Sequence, residues 1–214
     1  MYTLFWSTRT AAFAPDVVLS KAGVDFTRHQ VKRTHGRVDD PEFAKISPMQ
    51  QIPALLMPNG HVLCESIAIT LALAERHPEA GLLPPEGSEK RAFVYRWLMH
   101  MLCNIYESDL RYSYADRYTT DPNGVLGVKE AGAIRMDRGF DVAEAAIADG
   151  PWFLGDDFTL LDIYLAQYAC WHFDTPALLA RSPKITRVCT NIRKDEVIRS
   201  TLERYEMRDL DVLA

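Results

Sequence analysis

Three short stretches of this chain combine residue types that can do chemistry. Glu65-Ser66 stands directly before Ile67, Leu71 and Ala74, whose spacing makes one face of a helix. At a helix start, free amides and the positive end of the dipole favour an anion. The Ser66 hydroxyl and amide can donate to a carboxylate while Glu65 meets a neighbouring ammonium, so the pair suits a zwitterion. The simpler reading makes both residues ordinary first-turn residues. Gln51-Ile52-Pro53 precedes an apolar run, an unusual place for a residue that cannot donate to a ladder unless the chain turns there. A turned Ile52 would offer its main-chain N–H and C=O to an extended peptide, as in strand addition, with the Gln51 side chain adding hydrogen bonds nearby. The plain alternative is a strand-initiating proline. Ser7-Thr8-Arg9-Thr10 sets hydroxyl donors and a guanidinium ahead of a helix, or else forms a solvated loop that caps it.

The elements that position these residues can be read from periodicity and turn chemistry. Tyr2 to Trp6 suits a buried strand, Pro15 to Ala22 a helix stopped by Gly23, Phe26 to Val31 a second strand, and Asp39 to Ile46 a short helix. Ala54 to Met57 and His61 to Cys64 flank Pro58-Asn59-Gly60 and predict an antiparallel hairpin, followed by a helix to Arg76 before His77-Pro78. The order is β-α-β-α-β-β-α over residues 1–78. Residues 79–88, with Pro84-Pro85, have linker composition. Residues 89–214 read as all helical, in segments Glu89 to Tyr118, Gly127 to Ala148, Leu160 to Phe173 and Ile185 to Glu203. Thr159-Leu-Leu-Asp162 predicts a capping box at the start of the third.

Bulk properties narrow the function classes. A net charge of −5 argues against a broad phosphate-binding face, so no nucleic-acid partner is expected. There is neither a secretory start nor an apolar run long enough for a bilayer, and a cytoplasmic protein without a membrane partner is expected. Cys64, Cys103, Cys170 and Cys189 are widely separated and lack CxxC or Cys/His spacing, which predicts reduced thiols and no metal site.

Gln50-Gln51-Ile52-Pro53-Ala54-Leu55 before the hairpin, Glu65-Ser66-Ile67-Ala68-Ile69 after it and Phe153-Leu-Gly-Asp-Asp-Phe-Thr159 through Asp162 together resemble the soluble glutathione transferases of bacterial type. The resemblance spans essentially the whole chain. It implies a thioredoxin-like N-terminal domain, an all-helical C-terminal domain, a cis bond at Pro53 and glutathione as co-substrate. Gln51, Ile52, Pro53, Glu65 and Ser66 would then hold the peptide, Ile52 through main chain only.

The resemblance also locates a departure. The position where many classes carry a catalytic Ser falls on Arg9, and the cysteine position of the beta class falls on Ala11. Thr10, then Ser7, then Arg9 remain as groups to hold the sulfur, hydroxyls by donation and Arg9 by charge. Asn104 falls where an acidic residue of a neighbouring subunit approaches glutathione, and Tyr106 where a histidine lines the cleft. Phe13, Met101, Tyr106 and Tyr114 are expected to face a small hydrophobic electrophile. The activity implied is a transferase joining the glutathione thiol to that electrophile in detoxification, by a homodimer. The alternatives are a glutathione-binding protein without conjugating activity and a glutathione-dependent disulfide or peroxide reductase.

Overall fold

The computed structural model describes residues 1–34, 36–38 and 40–213, in two compact units: residues 1–83 with 195–208, and 84–194 with the chain from 209 onward. In the first unit, β1 (Tyr2–Trp6) runs parallel to β2 (Phe26–Gln30) and antiparallel to β5 (Ala54–Leu56), which pairs with β6 (Val62–Cys64). The sheet order is β2-β1-β5-β6. Helices α1 (Phe13–Lys21) and α3 (Ser66–Arg76) pack on each other, and α2 (Pro41–Ile46) is short. Asp40 caps α2 by accepting from the amides of Glu42 and Phe43, and Pro41 takes the first helical position, where its missing N–H costs nothing. The expected Asp39 start lies outside the described residues. Phe5, Val31, Phe43 and Ala54 form one apolar cluster of this unit, and Leu4, Val17, Val18, Ile69 and Leu73 are fully buried.

A small hairpin of β3 (Arg33–Thr34) and β4 (Arg37–Val38) was not foreseen, since two-residue strands carry no readable alternation. A larger difference is α10 (Glu196–Arg204), which belongs with the first unit although the sequence pattern predicts one helical domain over 89–214. Its docking is electrostatic as well as apolar. Asp16 is wholly buried and receives Arg28 on both oxygens, at 2.7 and 2.8 Å. The Tyr205 phenol donates to the same carboxylate at 3.3 Å, Arg204 approaches it at 3.6 Å, and Lys21 pairs with Asp195 at 2.6 Å. Burial of Ile198, Leu202 and Tyr205 adds on the order of 2 kcal/mol each.

The second unit is helical: α4 (Glu89–His100), α5 (Glu107–Ser113), α6 (Val125–Ala146), α7 (Leu160–Ala169), α8 (Thr175–Arg181) and α9 (Pro183–Ile192). Between α4 and α5 the helix continues as a π-helical stretch, Met101–Tyr106. The expected helix Ile185 to Glu203 is two helices, because Asp195 accepts from the Ile198 amide at 3.1 Å and begins α10 afresh. Gly132 and Gly139 let α6 lie against this region: a Cβ on Gly139 would stand 2.9 Å from the Asn104 carbonyl, and one on Gly132 2.9 Å from that of Ser108. The capping box at α7 is present. Asp162 accepts from the amides of Thr159 at 2.8 Å and Phe153 at 2.7 Å, and Thr159 Oγ1 accepts from Leu161 at 3.2 Å.

Candidate functional site

The strand register brings the three chemical stretches to one end of the sheet. Ala54 pairs with Cys64 on one side and Phe5 on the other. Ile52-Pro53, Glu65-Ser66 and Ser7 adjoin these paired ends of β5, β6 and β1 and so lie at the same end of the sheet. The peptide-like stretch is thus flanked by the helix start and by the end of β1.

The Ile52–Pro53 bond is cis. The Ile52 side chain packs on the Phe5 and Phe43 cluster, while its main-chain N–H and C=O meet no partner among the described residues. Gln51 is exposed and held at both main-chain groups by Ser47, whose buried Oγ donates to the Gln51 carbonyl at 3.1 Å and accepts from its amide at 3.2 Å. Ser47 was missed by the sequence reading; a serine at a helix end looks like any cap. Glu65 adopts φ of 66°, uncommon for a residue with a side chain, and does not cap α3. Ser66 opens α3, is buried, and its hydroxyl is unengaged by any described residue. Neither behaves as a helix-capping residue.

The loop after β1 differs. Thr10 Oγ1 donates to the Ser7 carbonyl at 2.7 Å, in a buried setting. Arg9 has φ of 51°, its amide donates to the Tyr205 carbonyl at 2.9 Å, and its guanidinium reaches the Glu206 carbonyl at 3.4 Å. Ser7 is buried, and the Thr8 carbonyl accepts from Arg33 at 3.2 Å. Helix α1 has no side-chain cap, and the amides of Thr10, Ala11 and Ala12 find no acceptor among the described residues. These amides are an anion-favouring group that reading side chains alone overlooked.

In the second unit, Asn104 is committed to its own domain: its amide nitrogen donates to the His100 carbonyl at 3.2 Å and its oxygen accepts from Arg135 at 2.9 Å. Tyr106 stacks on Tyr168 with ring centroids 5.5 Å apart. Burial first, then the nearby Asp109 charge, lifts the Tyr106 phenol well above its usual range, so it remains a neutral donor. Tyr168 Oη and Trp171 Nε1 are buried without an acceptor among the described residues. Tyr114 carries Arg117 over its ring at 4.0 Å. Phe13 and Met101, expected to face an electrophile, are each wholly buried, and Phe13 stands edge-on to Tyr205. As folded they are core, as apolar residues at helical spacing usually are. Among the described residues no group of three or more His, Cys, Asp or Glu side chains is arranged to hold a metal. No helix among them is long and apolar enough to cross a membrane.

Residues 2–75 match the family description "Glutathione S-transferase, N-terminal domain" and residues 127–191 match "Glutathione S-transferase, C-terminal domain". The chain belongs to the glutathione S-transferase family. Within that family it is 26% identical over 171 residues to glutathione S-transferase GstA of Escherichia coli O157:H7, covering 79% of this chain and 82% of that one. A glutathione transferase homologue from Sulfitobacter, solved with bound glutathione, superposes with a TM-score of 0.85 at 22% identity over 95% of this chain and 98% of its own. The glutathione transferase of Methylococcus capsulatus gives 0.80 at 25% identity, over 97% and 100%. The first unit of this glutathione S-transferase relative is the thioredoxin-like sheet-and-helix domain, and the second is the family's helical domain.

Proposed function

We propose that this family member binds glutathione at the end of its sheet, lowers the pKa of its thiol and joins the sulfur to a small apolar electrophile. The observation that carries the reading is that the Ile52 main chain and the Ser66 hydroxyl, neither engaged by any described residue, adjoin the paired ends of β5 and β6 at one end of the sheet. The cysteinyl backbone of glutathione would extend the sheet at Ile52. Its γ-glutamyl carboxylate would take the Ser66 hydroxyl and the α3 amides, and its ammonium the Glu65 carboxylate.

At the sulfur, the amides of Thr10, Ala11 and Ala12 and the α1 dipole would favour thiolate, with Ser7 and Arg9 close in sequence. Thr10 joins them only by turning its hydroxyl from the Ser7 carbonyl. The thiol proton passes to water, the sulfur pair attacks carbon, and the departing group leaves with its bonding pair. Cys64, Cys103, Cys170 and Cys189 form no disulfide with one another, which supports a reducing, cytoplasmic setting. Exposed Phe93 on α4 with Leu126 and Ile134 on α6 support a homodimer, which a sizing measurement checks.

A second reading, glutathione binding without conjugation, is favoured by the internal engagement of Thr10 and Arg9. Steady-state turnover of an aryl halide with glutathione separates the two. Measurable conjugation supports the transferase, and tight glutathione binding with rates at the uncatalysed level supports binding alone.

A further inference from the structure

The loop expected to face the sulfur is shaped by the far end of the chain. Within the first unit, the residue after α10, Tyr205, accepts the Arg9 amide on its carbonyl at 2.9 Å, and the next carbonyl, that of Glu206, receives the Arg9 guanidinium at 3.4 Å. Arg9 sits at φ of 51°, a conformation that a side-chain-bearing residue keeps only when its surroundings impose it. The Tyr205 ring, wholly buried, touches both flanks of the loop: Trp6 before it, at 5.0 Å between centroids, and Phe13 after it, at 5.9 Å. Its phenol is anchored in turn on Asp16, the buried carboxylate already held by Arg28. Backbone, ring and hydroxyl of one residue therefore fix the turn between β1 and α1 from three directions.

We propose that Tyr205 is a positioning residue: by pinning Arg9 in the left-handed conformation, it holds the Ser7 to Ala12 turn and its unpaired amides in the arrangement that acidifies a bound thiol. This rests on the transferase reading and names the element that regulates its chemistry. Tyr205 touches no substrate in this account; its effect passes through the loop. Among the described residues Tyr205 makes no hydrogen bond or ring contact with Ile52 or Ser66, so sulfur acidity and peptide affinity should respond to it separately.

The experiment is an ultraviolet difference titration of the glutathione thiolate band on the full chain and on Tyr205→Phe and Tyr205→Leu, with glutathione affinity measured beside it. Wild type should ionise the thiol below its ordinary pKa near 8.5. Tyr205→Phe keeps the ring and loses only the Asp16 anchor; its thiolate fraction at pH 7 should fall about threefold, the weight of one ordinary hydrogen bond. Tyr205→Leu should fall further, and affinity for glutathione should stay within about twofold in both, since the Ile52 and Ser66 contacts that set it are untouched. If Tyr205→Leu does not fold, Tyr205→Phe decides alone. Wild type and folded variants with the same lowered thiol pKa overturn the positioning role and leave the transferase reading standing. A wild type that leaves the thiol at its ordinary value overturns both. A merely structural Tyr205 would lower the melting temperature without moving the thiol titration.

Discussion

The two ends of the candidate site are built differently. At the sheet end, the Ile52 main chain and the Ser66 hydroxyl at the start of α3 are engaged by no described residue. In the Ser7 to Thr10 turn they are held internally, Thr10 on the Ser7 carbonyl and Arg9 on Tyr205 and Glu206. On the proposed reading, the first region would take the peptide without giving up a hydrogen bond to any described residue. The second would give up existing hydrogen bonds before a side chain could serve a sulfur, which leaves the amides of Thr10, Ala11 and Ala12 as the ready donors.

The comparison would lose meaning if general loosening imitated loss of either region, and Asp162 provides the control with the largest expected effect. Asp162→Ala removes two buried amide acceptors from the start of α7 and should cost about 3 kcal/mol in urea unfolding while leaving glutathione affinity unchanged. Burial pushes the Asp162 carboxyl up to about 7, against its amide donors. With a folded value above the unfolded one of about 3.9, this group's contribution is full below pH 4 and is lost as pH rises towards 7. That slope should be absent from Asp162→Ala.

Next in size, Glu65→Gln together with Ser66→Ala should weaken glutathione binding about 100-fold by calorimetry, two charge-assisted contacts being lost at once. A loss under about threefold would move the zwitterion elsewhere. Thr10→Ala should then lower the thiolate fraction by less than about threefold, since its hydroxyl already serves Ser7. A tenfold fall would restore Thr10 as the direct donor. Ser47→Ala, which frees both main-chain groups of Gln51, should weaken binding about twofold to fivefold, through the peptide that carries Ile52.

What could be read from the sequence divides along the same line. The Pro58-Asn59-Gly60 turn, the apolar runs around it and the spacing of Ile67, Leu71 and Ala74 are local signals, and they set the hairpin and α3 and thereby the Ile52 and Ser66 end. The Thr159 to Asp162 box is equally local. The other end depends on partners far along the chain. Nothing near Arg9 announces that Tyr205 will accept its amide, and nothing near Glu196 announces that a buried Asp16 and Arg28 will claim α10 for the first unit. The π-helical stretch Met101–Tyr106 was also invisible, because its composition is that of ordinary helix and only its hydrogen-bond reach differs. Phe13 and Met101 show the limit of reading aromatic and apolar residues as pocket walls: the same side chains fill a core.

The central claim is that the start of α3 reads the γ-glutamyl group, and calorimetry with two ligands on two proteins tests it directly. Glutathione and cysteinylglycine, which lacks that group, would be titrated into wild type and Ser66→Ala. The account predicts a strong wild-type preference for glutathione that shrinks about tenfold or more in Ser66→Ala, while cysteinylglycine binds both proteins alike. An equal preference in the two proteins would contradict it.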